Sequence, residues 1–118
     1  MSFRLSADDL EFSGGAVNDE APTWEDVESC IRRLDGLRFT DVALLDGDAS
    51  GLLVSGGANG IYLCQHITPL KNQLLVDTKK SEEKTVLIMR DGPEDFPESW
   101  TVDLEATLIA ARTFLLGR

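Results

Sequence analysis

The chain has 118 residues, 42% of them hydrophobic, with 21 acids against 11 bases and a formal net charge of -10. That length is one domain's worth, and the apolar content suffices for an ordinary core without a disulfide or a metal. The charge argues against nucleic acid, whose phosphates demand a basic footprint, and against an anionic membrane surface. A basic protein is the natural complement, although solubility alone is a sufficient reason for such a balance.

Residues 1–22 are weakly patterned. Leu10 and Phe12 suit a short first strand closed by Gly14-Gly15, and Asn18 to Pro22 reads as a loop. Residues 23–117 form the expected core of a single domain spanning 1–118. Thr23 is placed as a helix N-cap with Asp26 three residues on. Trp24, Val27, Ile31 and Leu34 then recur at helical spacing, acids crowd the first turns, Arg32 and Arg33 close the last, and Gly36 terminates. The spacing predicts a helix from about Trp24 to Asp35.

Strands follow at Phe39–Asp46, Gly51–Ser55 and Ile61–Ile67, separated by turns at 47–50 and 56–60. In the third, Tyr62, Cys64 and His66 alternate with Ile61, Leu63 and Ile67. Gln73–Asp77 and Lys84–Arg90 read as a hairpin, the second strand apolar enough to be covered on both faces. Asp91 to Glu98, with Gly92, Pro93 and Pro97, reads as a loop, and Ser99 to Val102 as a short strand. Asp103 caps a second helix whose stripe is Leu104, Leu108, Ala111 and Leu115, ended by Gly117. The expected fold is therefore α+β: two layers, a mostly antiparallel sheet of about five or six strands, and two helices on one face.

Cys30 and Cys64 make no metal or redox spacing and sit among apolar residues, so buried thiols are expected. The opening residues do not form a signal segment and no apolar run reaches membrane length, which points to the reduced cytoplasm. His66 is the sole histidine, and no nucleophile or acid can be set beside it from sequence. Asp46-Gly47-Asp48 lacks the remaining ligands of a calcium loop, and the glycine cluster at 56–60 precedes no helix and carries no lysine. No catalytic, cofactor or metal residue is assigned, and no enzyme activity is expected.

Charge is segregated along the chain. Residues 5–31 hold eight acids and no base, and residues 91–111 hold six acids and no base. The second block interleaves Asp91, Glu94, Asp95 and Glu98 with Phe96 and Trp100, the pattern of aromatic anchors with a charged rim. Core packing is the plainer role for both aromatics. With the acidic turn residues Asp46 and Asp48, these six are the expected partner-binding set.

Four segments carry a resemblance: "PTWEDVESCIRRLDG", "LLVSGGANGIYL", "DGPEDFP" and "VDLEATLIAARTFLLG". Together they make the chain look like an immunity protein of bacterial polymorphic toxin systems, of the family often paired with deaminase or nuclease toxins. Members often continue past the last glycine into a tail ending in tryptophan, whereas this chain stops at Arg118. The resemblance implies an inhibitor that occludes the basic substrate surface of a cognate toxin as a monomer or weak homodimer, without cofactor. Two other readings remain open. One is a small-ligand or enzymatic domain with a pocket near His66, and the other is an oligomeric scaffold built on an exposed strand edge.

Overall fold

The structure is a computed structural model that describes residues 3–9, 17–47, 50–77, 79–89 and 92–117. In chain order it contains β1 (Phe3–Ala7), β2 (Val17–Asp19), α1 (Trp24–Arg33), β3 (Asp41–Asp46), β4 (Ser50–Gly56), β5 (Tyr62–Ile67), β6 (Asn72–Leu74), β7 (Lys84–Met89), β8 (Gly92–Pro97) and α2 (Leu104–Leu116). Six strands form one antiparallel sheet in the order β2-β1-β3-β4-β5-β6, and β7 pairs with β8 as a separate ribbon.

The helices form where the capping chemistry directs. Thr23 Oγ1 accepts from the Asp26 N–H and the Asp26 carboxylate accepts from the Thr23 N–H, so two orphan donors at the start of α1 are satisfied reciprocally. Asp103 accepts from the Ala106 N–H at the start of α2, and Gly117 closes that helix in the left-handed conformation. Both helices lie on one face of the sheet, where the side chains that meet them come from alternate positions of β1, β3, β4 and β5. Leu5 and Ala7, Val42 and Leu44, Leu52 and Val54, and Tyr62 and Cys64 meet Val27, Cys30, Ile31 and Leu34 of the α1 segment and Ala111 of α2 in one cluster. Each such aliphatic side chain contributes about 1.5–3 kcal/mol on full burial. This is the expected two-layer α+β architecture.

Several expectations along the chain need correction. The first described strand is Phe3–Ala7, hydrogen-bonded between β2 and β3, while Leu10 and Phe12 lie outside the described residues. Asn18 belongs to β2 rather than to a loop. Gln73–Asp77 does not pair with Lys84–Arg90: β6 adds to β5, and β7 takes β8 as its partner. Nor is β7 covered on both faces, since Leu87 is buried but Val86 is 55% exposed. Ser99 to Val102 contributes only a bridge between Val102 and Tyr62, after a 3-10 turn at Glu98–Trp100.

The prolines that suggested a loop at 91–98 fall instead where a strand tolerates them. The Glu98 N–H donates to the Glu83 carbonyl (2.8 Å), so even-numbered residues of β8 bond β7. Bonded positions alternate in an antiparallel ladder, so Pro93 and Pro97 both occupy outward positions where no N–H is required.

The turn from β4 into β5 is wedged against the end of α1. Gly57 has φ +105, and a Cβ there would stand 2.4 Å from the Leu34 carbonyl oxygen. Gly47, in the turn from β3 to β4, has φ +69 but nothing within 4 Å. Gly57→Ala should therefore lower stability by about 3 kcal/mol or more, against about 1 kcal/mol for Gly47→Ala. Denaturant titration of the two variants distinguishes backbone collision from φ alone.

Candidate functional site

The ribbon β7–β8 carries Glu94, Asp95 and Phe96 of the predicted set, and the 3-10 turn that follows it carries Glu98 and Trp100. Thr85, Leu87, Glu94 and Phe96 share one of its faces, and Lys84, Val86 and Asp95 share the other, because paired residues project together. Glu94 and Asp95 are both exposed but point to opposite faces. Phe96 is half-buried, and its ring lies 6.1 Å from that of Trp100, which is 38% exposed. Glu98 follows directly and is half-buried. The Glu98–Glu83 backbone bond adds Glu82 and Glu83 to the neighbourhood. Among the described residues of 82–98, Glu82, Glu83, Glu94, Asp95 and Glu98 stand against Lys84 alone. Asp91 and Asp48 lie outside the described residues.

Asp46 is not beside this cluster. It ends β3 opposite Ser50, at the start of β4, whereas Leu87 reaches the far end of that strand at Gly56. Six residues of extended chain separate those two points by about 20 Å. The acids Glu25 and Asp26 open α1, whose other end meets Gly57, so they start about 14 Å further along the helix axis.

Two acids of the first block belong to the interior. Asp8 is 9% exposed and accepts from the N–H groups of Thr40 (2.8 Å) and Asp41 (3.0 Å), with the Thr40 hydroxyl also within bonding reach. Asp9, 4% exposed, takes a two-pronged contact from Arg38 at 2.8 Å to each oxygen. Sequence offered a signal for this, since an acidic pair beside Ala7 and Leu10 sits in apolar company, but their partners lie some thirty residues on.

Between β5, β6 and α2 lies a groove of about 650 Å³. Leu52, Cys64 and His66 line the sheet side, with Ile109, Ala110 and Phe114 opposite. His66 stands edge-on to the Phe114 ring at 5.2 Å, and Phe114 in turn meets Phe3 at 5.6 Å. The cavity near His66 that a ligand-binding reading requires is therefore present. Its described lining contains one imidazole and no carboxylate, a composition that favours an apolar occupant over proton transfer. Among the described residues no cluster of His, Cys, Asp and Glu is suited to a metal ion, and no helix is long and apolar enough to cross a membrane.

Residues 16–117 match the family described as Immunity protein Imm1. The chain belongs to the Imm1 immunity protein family. No curated protein and no solved structure matches it. The matched span takes in both helices, the acidic ribbon and the groove of this Imm1 chain, but not β1, the strand whose flank supplies Asp8 and Asp9.

Cys64 of this Imm1 protein sits in the groove wall with 2% exposure, and burial pushes its thiol up to about 11 from 9.0. The thiol stays protonated in the folded chain at pH 8 and should resist aromatic disulfide reagents until denaturant is added. The pKa is raised in the folded state, so the unfolded thiol ionises first as pH rises. Stability should thus fall between pH 9 and about 11 and do so less in Cys64→Ala, read as the midpoint of urea unfolding against pH.

Proposed function

We propose that this immunity protein binds and neutralises a cognate bacterial toxin in the cytoplasm by covering the toxin's basic substrate-binding surface. The family match over residues 16–117 carries the reading. The ribbon β7–β8 supplies the contact. Its carboxylates compete with phosphate for the toxin's cations and accelerate encounter, while Phe96 and Trp100 provide apolar area that excludes water at the centre. Asp91, next along the chain, extends the acidic block. A standard interface of about 800 Å² per partner is broad enough to reach Asp46 at the end of β3 as well, and Asp48 follows it two residues on in the sequence. The mechanism is occlusion, so it asks no proton transfer of His66 and no cofactor.

Co-purification from the native host should recover a neighbouring gene product that ends in a toxin domain. Recovery of metabolic enzymes alone would overturn the function. Combining Glu94→Lys, Asp95→Lys and Glu98→Lys should slow association with that toxin by about 10-fold at low salt, while stability changes by less than ~0.5 kcal/mol per site. Surface plasmon resonance at two salt concentrations reads the rate, and an unchanged rate removes β8 from the interface.

A further inference from the structure

The last strand of the sheet leaves its outer edge open. The Leu75 N–H donates to the Cys64 carbonyl (3.0 Å) and the Thr68 N–H to the Lys71 carbonyl (2.8 Å), so the odd positions of this segment face β5. Asn72 and Leu74, the alternate residues, therefore turn their N–H and C=O groups away from the sheet. Among the described residues no strand pairs with them. Strand edges are usually guarded by charge or proline, and the edge of β8 is guarded by Pro93 and Pro97. Asn72, Gln73 and Leu74 include neither.

The open edge adjoins the apolar groove. Leu75 lies on the strand side of that groove and Ala106, Ile109 and Ala110 form its helical wall, with Ile109 60% exposed. An unpaired strand edge beside a helix-walled apolar groove is the arrangement that strand addition uses: main-chain bonds along the edge, and every second side chain in the groove. A small apolar molecule would fill the groove but leave the edge groups of Asn72 and Leu74 unused. Charge selects among polypeptides. Lys71 precedes the strand and Lys79 follows it, both exposed, and neither side chain forms an ion pair among the described residues. The intervening acid, Asp77, already accepts from the Lys79 N–H. A second copy would bring the same two lysines and no carboxylate in its own β6.

We infer that β6 accepts an extended polypeptide segment as an added strand, with alternate apolar side chains in the groove and flanking carboxylates beside Lys71 and Lys79. The strand edge and its groove share no residue with the acidic ribbon, the Lys79 turn adjoins the ribbon's end where the Asp77 N–H donates to the Ser99 carbonyl (2.7 Å), and the inference does not depend on the toxin reading. A short synthetic peptide of alternating valine and threonine, ended by glutamates, should bind the full chain about 10-fold more tightly at low salt than the same peptide ended by lysines. Amide resonances of Asn72, Leu74 and Ile109 should move on titration. Leu74→Pro removes an N–H that the sheet does not use, and Ile109→Glu places a charge at an exposed position in the groove wall. Each should weaken the peptide by about 10-fold with an unchanged melting temperature. Should Leu74→Pro fail to fold, Ile109→Glu decides. Equal binding of the two peptides, resonance changes confined to β8, full binding by Ile109→Glu, or self-association of the free chain through Asn72 and Leu74 would each overturn the assignment. The charge-reversed β8 variant should bind the glutamate-ended peptide as the wild type does, which separates failure here from failure of the toxin reading.

Discussion

The buried carboxylate of Asp8 is the constraint on which the rest of the fold depends. A charged group out of water must be met by donors or it will not stay there, and the N–H groups of Thr40 and Asp41 meet it. That requirement holds the end of β1 against the start of β3. The same short segment holds β4: the Gly56 N–H donates to the Thr40 carbonyl (3.0 Å), and the Ser55 hydroxyl donates to Asp41 (2.8 Å). The connection from α1 is fixed there too. Asp35 accepts from the N–H groups of Leu37, Arg38 and Phe39, and although burial pushes its pKa up, those backbone bonds outweigh it and leave the carboxyl below its usual value. Arg33 and Arg38 then lie over the Phe39 ring at 4.2 and 5.0 Å. No buried side-chain nitrogen or oxygen among the described residues lacks a partner.

This junction changes what the net charge means. Asp8 and Asp9 count toward the acidic balance but present almost nothing to a partner, and Asp35 spends its oxygen on its own loop. The cations of the α1 exit are engaged in the same way, Arg32 with Glu28 and Arg38 with Asp9. The acidity left exposed lies in separate regions, and among the described residues the β7–β8 ribbon with the turn after it joins carboxylates to a pair of tilted, neighbouring aromatic rings. A sum of charges therefore says less about the binding face than the identity of the carboxylates that remain unused by the fold.

The parts of the fold that were legible in the sequence are those whose signals are local. Thr23 with Asp26 and Asp103 with Gly117 announce both helices, because a cap needs neighbours only a few residues away. β3, β4 and β5 follow from alternation and from the turns between them. β1 was illegible because its justification is Asp8 and Asp9 meeting residues about thirty positions on. The pairing of β6 was misread because sequence proximity to β7 suggests a hairpin, whereas β5 offers it a free edge first. β8 was hidden by prolines whose even spacing suits an outward register. Glu94, Asp95, Phe96, Glu98 and Trp100 were legible as a composition. The groove beside His66 was legible only as a possibility, since its walls come from strands and a helix far apart in the chain.

The outer edges of β6 and β8 show how backbone chemistry sorts surfaces that side-chain charge would blur. At β8 the outward positions hold two prolines, so an incoming strand finds missing donors at Pro93 and Pro97, and the contact proposed for the ribbon runs through its carboxylates and rings instead. Binding of that kind is long-ranged, weakened by salt and tolerant of the partner's backbone shape. At β6 the outward amides are intact, the flanking charges have the opposite sign, and the adjoining groove is apolar. Binding there is short-ranged and demands an extended backbone in register. A single partner that presents both a basic face and an acid-flanked strand would satisfy both surfaces together, and a partner with only one of them would satisfy one. Two modest contacts whose chemistries differ in sign and in salt response give an inhibitor more power to discriminate between related partners than a larger contact of one kind, because each rejects a different class of mismatch.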